Sequence, residues 1–377
     1  MGKSKIYIIS LVTVLLLILT SILLFLVYQN NRIDRFSAPG NAITKDKSEY
    51  LQDTTGNATF LVFTTGSKDL TAEEVDYTGV GKVRGGMKDG LTDSIMLFRV
   101  NSQNKRVAVI SIPRDTYLES TGRRINEVFV TEGVDGLVER VGQLTGIRAD
   151  HQISVNFNAF AQIVDILGGI QVYFNEPVLD KNAKLRIDKA GCTLLDGKNA
   201  LAFARARSYL TLNENGVYTS SSLSSDWGRM VRQQFIVGSI LKKIKSNNNI
   251  AKIPHVINSL TGSLTVDRNL SITDMLSYAK IAADSNIEMK YFTFPGIGKS
   301  INGASVILPS MDEYISMRKE IDEFIEDTNN SKESSTPQRE SEGVNEQPRS
   351  RLVRESVHTD DSSLKTGLEN EIPYKEC

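Results

Sequence analysis

Cysteine, histidine and tryptophan are scarce in this chain, at two, three and one among 377 residues. Two cysteines build neither a disulfide framework nor a zinc site. Cys377 is the last residue, in a polar segment, and is expected not to pair with Cys192. The histidines are His151, His255 and His358, and no Gly-x-Ser-x-Gly elbow accompanies them, which argues against a serine hydrolase. His151 stands beside Asp150, but sequence neighbours rarely form a catalytic pair, and a hydrogen-bonded structural histidine is the plainer reading. There is no zinc-binding His-Glu-x-x-His and no Walker loop. Excess charge of either sign is also missing: the formal net charge is -1, so the overall balance does not point to nucleic acid.

What the chain does have begins with a long apolar run. Residues 6–28 carry no charge and are mostly aliphatic, enough to cross a bilayer as a helix at ~20 residues per span. No small-x-small cleavage site follows, so the run reads as an uncleaved transmembrane anchor, with 1–5 as a short cytoplasmic tail. The simplest orientation puts the main body outside the cell membrane. Residues 29–56 are polar, contain Pro39-Gly40 and read as a stalk. The segment 57–326 has the composition of a folded domain, and 327–377 that of a disordered polar tail.

Within the folded segment, strands alternate with helices. Phe60–Thr64, Ser94–Val100, Val107–Ile112, Ile153–Val155, Ile170–Phe174 and Met289–Phe294 read as strands. Asn126–Thr145, weakened by its glycines, Phe157–Leu167, Pro254–Leu260 and Ser271–Ala283 read as helices. This alternation predicts an α/β fold. Residues 73–90 are rich in glycine and basic residues, but the glycine spacing is wrong for a dinucleotide fingerprint and a loop is expected.

The most informative stretch is Ala200–Gln234, with four arginines (Arg205, Arg207, Arg229 and Arg232) and no lysine. Arginine grips phosphate oxygens two at a time and keeps its charge when partly buried. Asp226, Arg229 and Gln233 fall on one face of a helix that Ser224, Ser225 or Asp226 can cap and that runs to about Lys245. In an extended segment Arg205 and Arg207 would point the same way. The arrangement suggests a site for phosphate or pyrophosphate; a surface salt-bridge cluster is the alternative. Asp93 opens a strand and Asp69 follows one, so the pair could hold magnesium against phosphate oxygens or could simply cap turns.

Several motifs recur in order from about Asp89 to Lys245. They are Thr92-Asp93-Ser94, Ser111-Ile112-Pro113-Arg114-Asp115, Arg124-Ile125-Asn126 and Val164-Asp165-Ile166-Leu167-Gly168-Gly169, then Leu195-Asp196-Gly197, Ala204-Arg205-Ala206-Arg207, Asp226-Trp227-Gly228-Arg229 and Arg232-Gln233-Gln234. Together they resemble the LytR-CpsA-Psr family of bacterial cell-wall enzymes. The resemblance implies a mixed central sheet flanked by helices, behind a single N-terminal transmembrane helix. It also implies a phosphotransferase that moves a glycopolymer from a polyprenyl-pyrophosphate carrier to peptidoglycan. By the motif match, Arg114, Arg205, Arg207 and Arg229 would bind the pyrophosphate with help from Gln233. Asp226 would support the arginines, and Asp93 would hold Mg2+, with Asp69 as a second ligand. The chain departs from the family pattern at Leu91, where an arginine is usual and for which Arg84 would substitute. A membrane-anchored non-catalytic regulator or glycan-binding protein, and a pyrophosphatase acting on the same lipid, are the alternatives.

Overall fold

The structure is a computed structural model that describes residues 34–36, 57–65, 91–246, 264–282, 284, 286–326, 374, 375 and 377. The proposed membrane span, stalk and glycine-rich loop lie outside these residues, as do Asp69, Arg84, the helix expected at Pro254–Leu260 and most of the tail. No helix among the described residues is long and apolar enough to cross a membrane.

Nine of the strands frame the site and its supports: β1 (Asp34–Arg35), β2 (Asn57–Thr65), β3 (Thr92–Asn101), β4 (Arg106–Ile112), β5 (His151–Asn156), β6 (Ile170–Phe174), β7 (Gly191–Leu195), β8 (Leu264–Val266) and β9 (Glu288–Thr293). Six helices accompany them: α1 (Val128–Thr145), α2 (Phe157–Ile166), α3 (Gly197–Arg205), α4 (Asp226–Ser246), α5 (Ile272–Ala282) and α6 (Met311–Glu326). Seven strands form one mixed sheet in the order β1-β8-β5-β2-β3-β4-β9. β2, β3 and β4 pair antiparallel, whereas β5 and β9 join parallel to β2 and β4. The fold is thus α/β, as the alternation predicts.

β4 explains the centre of the sheet. Every residue of Arg-Val-Ala-Val-Ile-Ser-Ile is buried, because helices cover both faces, and a strand covered on both faces reads as a continuous apolar run. One face packs Leu97, Ile110 and Phe294 against Leu137 of α1 and Ile321 of α6. The other face packs Phe60 and Val266 against Ala159 of α2 and Met275 of α5. A second body of apolar residues, including Phe174, Leu185, Phe203 and Phe235, lies among β6, α3 and α4. It is this cluster that holds α3 and α4 side by side.

Local sequence sets the helix ends. The Asn156 side chain accepts from the Ala159 amide at 2.8 Å and caps α2. Asp196 does the same for α3, accepting from Asn199 at 2.8 Å. Asp165, in the Val164–Gly169 motif, accepts the Gly197 amide at 2.7 Å. A Cβ at Gly197 would lie 2.2 Å from the Ala161 carbonyl oxygen, so only glycine lets α3 start this close to α2. α1 is interrupted at Gly133, with φ 73° and ψ -169°.

The unpaired reading of Cys377 is corrected. Cys192 and Cys377 form a disulfide. The end of the segment read as a polar tail therefore sits on the domain, where the Tyr173 amide donates to the Lys375 carbonyl at 2.9 Å. Composition could not show this, because the pairing needs only the last few residues to return, whatever the polarity of the chain between.

Candidate active site

The site forms where the β3 start, the β4 end and the N-terminal turn of α4 meet. β3 and β4 are antiparallel, so Asp93 at the beginning of one and Arg114 just past the end of the other lie at the same end of the sheet. Arg114 Nη1 donates to Asp93 Oδ1 at 2.7 Å. Pro113 ends β4 and releases the backbone to turn, with the Thr116 amide donating to the Pro113 carbonyl at 3.0 Å. Asn126 bridges the same turn: its amide donates to the Arg114 carbonyl at 3.1 Å, and its Nδ2 lies 3.4 Å from Asp115 Oδ1.

α4 supplies the other wall. Ser225 caps it, its Oγ accepting from the Gly228 amide at 3.1 Å. A Cβ at Gly228 would meet the Leu223 carbonyl oxygen at 2.0 Å, so the first turn of α4 presses on the preceding loop. Asp226 then takes Arg207 Nε at 2.8 Å and Arg229 Nη1 at 3.4 Å. One turn further on, the buried Gln234 Nε2 reaches Ser111 Oγ at 3.0 Å, the Phe292 carbonyl at 3.1 Å and Thr293 Oγ1 at 3.1 Å, tying α4 to the ends of β4 and β9.

Arg205 and Arg207 arrive differently from the extended pair expected. Arg205 is the last residue of α3, and Ala206 turns the chain out of the helix at φ -58° and ψ 131°. Fully buried Ala206 separates the two side chains. The Arg205 guanidinium stacks 4.7 Å above the Phe157 ring. Arg207 is fixed through its backbone: its amide donates to Asp180 Oδ2 at 2.7 Å and its carbonyl accepts from Ser224 Oγ at 3.1 Å.

The electrostatics describe a concentrated positive site. Burial lowers the affinity of Arg229 for its proton to a pKa of about 10; Asp226 opposes this, while Arg207 and Arg114 add repulsion. Burial likewise lowers Arg205, with Asp93 opposing, and Arg207, with Asp226 opposing. Burial pushes against ionisation of Asp226, but Arg229 and Arg207 outweigh it and hold that carboxyl below the usual range. Asp115 moves the other way, raised by burial and then by its hydrogen bond to Asp226. Arg114 Nε, Arg207 Nη2 and Arg229 Nε are buried without a hydrogen-bond partner. A buried donor left without a partner costs ~1–3 kcal/mol, and an oxygen-rich anion at the cluster could satisfy these three.

The site residues expected from the sequence separate into two groups. Asp93, Arg114, Arg205, Arg207, Asp226 and Arg229 come together. Gln233 instead donates to the Ala204 carbonyl at 3.3 Å, behind the arginines. Arg232 also turns away, fully buried, with its guanidinium on the Ala206 and Leu223 carbonyls. Asp115 ends the Pro113-Arg114-Asp115 motif, but its contact with Asp226 joins two distant chain segments and leaves no spacing to read. Among the described residues no group of three or more His, Cys, Asp or Glu could hold a metal. Mg2+ commonly takes one or two carboxylates plus substrate phosphates, and the Asp93 carboxylate, one-third exposed beside the arginines, suits that mode.

The fold and the site thus define an α/β protein with a partly buried guanidinium cluster at the strand ends, an arrangement that can accommodate a multiply charged anion. The chain belongs to the LytR_cpsA_psr family, whose family model matches residues 27–323. It is 27% identical over 241 residues to the polyisoprenyl-teichoic acid–peptidoglycan teichoic acid transferase TagU of Halalkalibacterium halodurans, covering 63% of this chain and 74% of TagU. It is 30% identical over 202 residues to the corresponding transferase TagV of Bacillus subtilis, covering 51% of this chain and 48% of TagV. Its fold resembles that of the LytR-Csp2A-Psr enzyme from Actinomyces oris, with a TM-score of 0.55, 22% identity and coverage of 71% of this chain and 92% of that one.

Proposed function

We propose that this protein is a phosphotransferase that moves a glycopolymer from a polyprenyl-pyrophosphate carrier to a hydroxyl of peptidoglycan. The observation that carries the reading is the convergence of Arg114, Arg205, Arg207 and Arg229 on one site with three buried donors unpartnered. A pyrophosphate diester offers the oxygens those donors require. The transferase names of the TagU and TagV relatives support the same chemistry.

In this reaction the acceptor oxygen attacks the phosphorus that bears the glycopolymer. The bond from that phosphorus to the bridging oxygen breaks, and polyprenyl phosphate leaves. Charge spreads over the phosphoryl oxygens in the transition state, so catalysis is mostly positioning and neutralisation. Arg207 and Arg229, held by Asp226, would grip the diphosphate from one side, and Arg114 and Arg205 from the other. Asp93 would hold Mg2+, which when bound neutralises phosphate charge, or take the acceptor proton. Asp226 would remain ionised under its arginines.

The proposed setting is the outer face of the cell membrane, with residues 6–28 as the anchor. The polar stalk and the Cys192–Cys377 disulfide support it, since disulfides persist in oxidising compartments. The test uses purified protein, a lipid-linked pyrophosphate glycan and peptidoglycan acceptor, with and without Mg2+. Acceptor-dependent release of polyprenyl phosphate and a covalent glycan–peptidoglycan product are expected. Phosphate release that ignores the acceptor would indicate a pyrophosphatase, and binding without release a regulator.

A further inference from the structure

The last residues of the chain lie behind the arginine cluster. Arg232 is fully buried, and no carboxylate pairs with it among the described residues. Its Nη2 donates to the Ala206 carbonyl, between Arg205 and Arg207. Its Nη1 reaches the Leu223 carbonyl at 3.2 Å and the Tyr374 hydroxyl at 3.2 Å. Its guanidinium carbon sits 4.6 Å from the centre of the Tyr209 ring. One cation therefore joins the two backbone segments that carry the site; Tyr374 supplies a third acceptor, and the Arg232 Nε is buried without a hydrogen-bond partner.

Tyr374 is itself seated between the site's helices. Its ring centre lies 5.0 Å from Phe203 of α3 and 5.7 Å from Phe235 of α4. The next residue pairs by backbone with Tyr173 of β6. Cys377 is bonded to Cys192 of β7, the strand that leads directly into α3 and Arg205. The end of the chain is thus pinned on the strands before α3 while its tyrosine fills the gap behind α3 and α4.

We propose that Tyr374 and Arg232 are positioning residues for the transfer reaction. Together they form a C-terminal clamp, covalently secured by Cys192–Cys377, that sets Arg207 and the start of α4 in register to grip the pyrophosphate; this rests on the function proposed above. Without Tyr374, water reaches a cation that otherwise has carbonyls and aromatic rings around it. Its hold on Ala206 and Leu223 then weakens, and with it the position of Arg207. A displacement of about 1 Å at such a site costs up to ~100-fold in rate.

The test compares the full-length oxidised protein with Tyr374→Ala, Tyr374→Phe and Cys377→Ser, at a temperature where each is fully folded by circular dichroism. Three readouts are used: kcat and KM for transfer, calorimetric binding of inorganic pyrophosphate, and emission of Trp227, the single tryptophan, which lies between Asp226 and Gly228 in α4. Tyr374→Ala is expected to lower kcat ~10- to 100-fold, weaken pyrophosphate binding and shift Trp227 emission in the anion-free protein. Tyr374→Phe, which keeps the ring, should recover most of the loss. Cys377→Ser should fall between wild type and Tyr374→Ala. Wild-type kinetics, binding and emission in Tyr374→Ala would overturn the clamp. So would losses that merely follow a falling folded fraction. If the wild-type protein neither binds pyrophosphate nor transfers, the proposed function fails, and Trp227 emission alone still decides the clamp.

Discussion

Replacing Arg229 by methionine should separate activity from stability. Arg229 is almost completely buried, and its pKa of about 10 means the fold holds that charge at a cost. Against the ordinary arginine value the lowering is worth on the order of 3 kcal/mol at ~1.36 kcal/mol per pH unit. The sign follows from linkage. A cation whose folded pKa is lowered binds its proton less tightly in the folded state, so stability is reduced at neutral pH and rises only as pH climbs above about 10. Methionine removes the charge at similar length. Asp226 keeps Arg207 at 2.8 Å, so its carboxylate is not left bare. The anion-free Arg229→Met protein should therefore melt no lower than wild type, and up to about 10 °C higher if the whole charge cost is recovered, at about 2–4 °C per kcal/mol for a domain of this size. Transfer should fall by ~100- to 1,000-fold, the usual loss when one preorganised donor to a developing oxyanion is removed. Pyrophosphate should raise the wild-type Tm but have much less effect on the variant, because ligand stabilisation follows affinity. Differential scanning calorimetry with and without pyrophosphate, alongside single-turnover transfer, measures all three. A variant that transfers within about threefold of wild type, or melts well below it without anion, refutes the picture of a charge-strained site awaiting an anion.

Asp115→Asn should change the pH dependence of stability. Because burial and Asp226 raise the folded pKa of Asp115, its ionisation removes stability as pH climbs from the ordinary carboxylate range through the raised value. Relative to wild type, the Asp115→Asn Tm should therefore rise across that window; a constant offset argues against the coupling. Gly228→Ala forces a Cβ to 2.0 Å from the Leu223 carbonyl, so α4 or the loop must shift. It should cost ~1–3 kcal/mol by denaturant unfolding and lower transfer, and unchanged values would show that the contact is not tight. Gln234→Leu strips partners from Ser111 and Thr293 and should cost ~1–3 kcal/mol by the same assay.

Much of the scaffold can be read in the chain because its signals are local. The strand Ile170–Phe174 has the bounds its alternation predicts, and β2, β3 and β4 differ from expectation by a few residues. The α4 start follows from Ser225, a good cap before a long amphipathic run. α3 is less legible, since a short alanine-rich helix after Asp196 looks like a turn with apolar flanks. α6 carries a periodic signal in Tyr314, Met317, Ile321 and Phe324 but is not among the helices expected from the sequence. In the hairpin Gly296–Ile301 and Ala304–Pro309 the first strand is largely exposed, and in the second only Val306 is fully buried, so no alternating buried face marks it.

The sequence by itself determined the family, the α/β class and which arginines and carboxylates to examine, because motif order and side-chain chemistry survive without coordinates. Tertiary structure decided which of those residues meet. It placed Arg205 at the end of a helix, turned Arg232 and Gln233 away to hold backbone carbonyls, brought Asp115 to Asp226, and returned Cys377 to Cys192 across 185 residues. Each of these is a contact between distant segments. Such contacts depend on which surfaces the packed helices and strands present to one another, and local spacing carries no record of that.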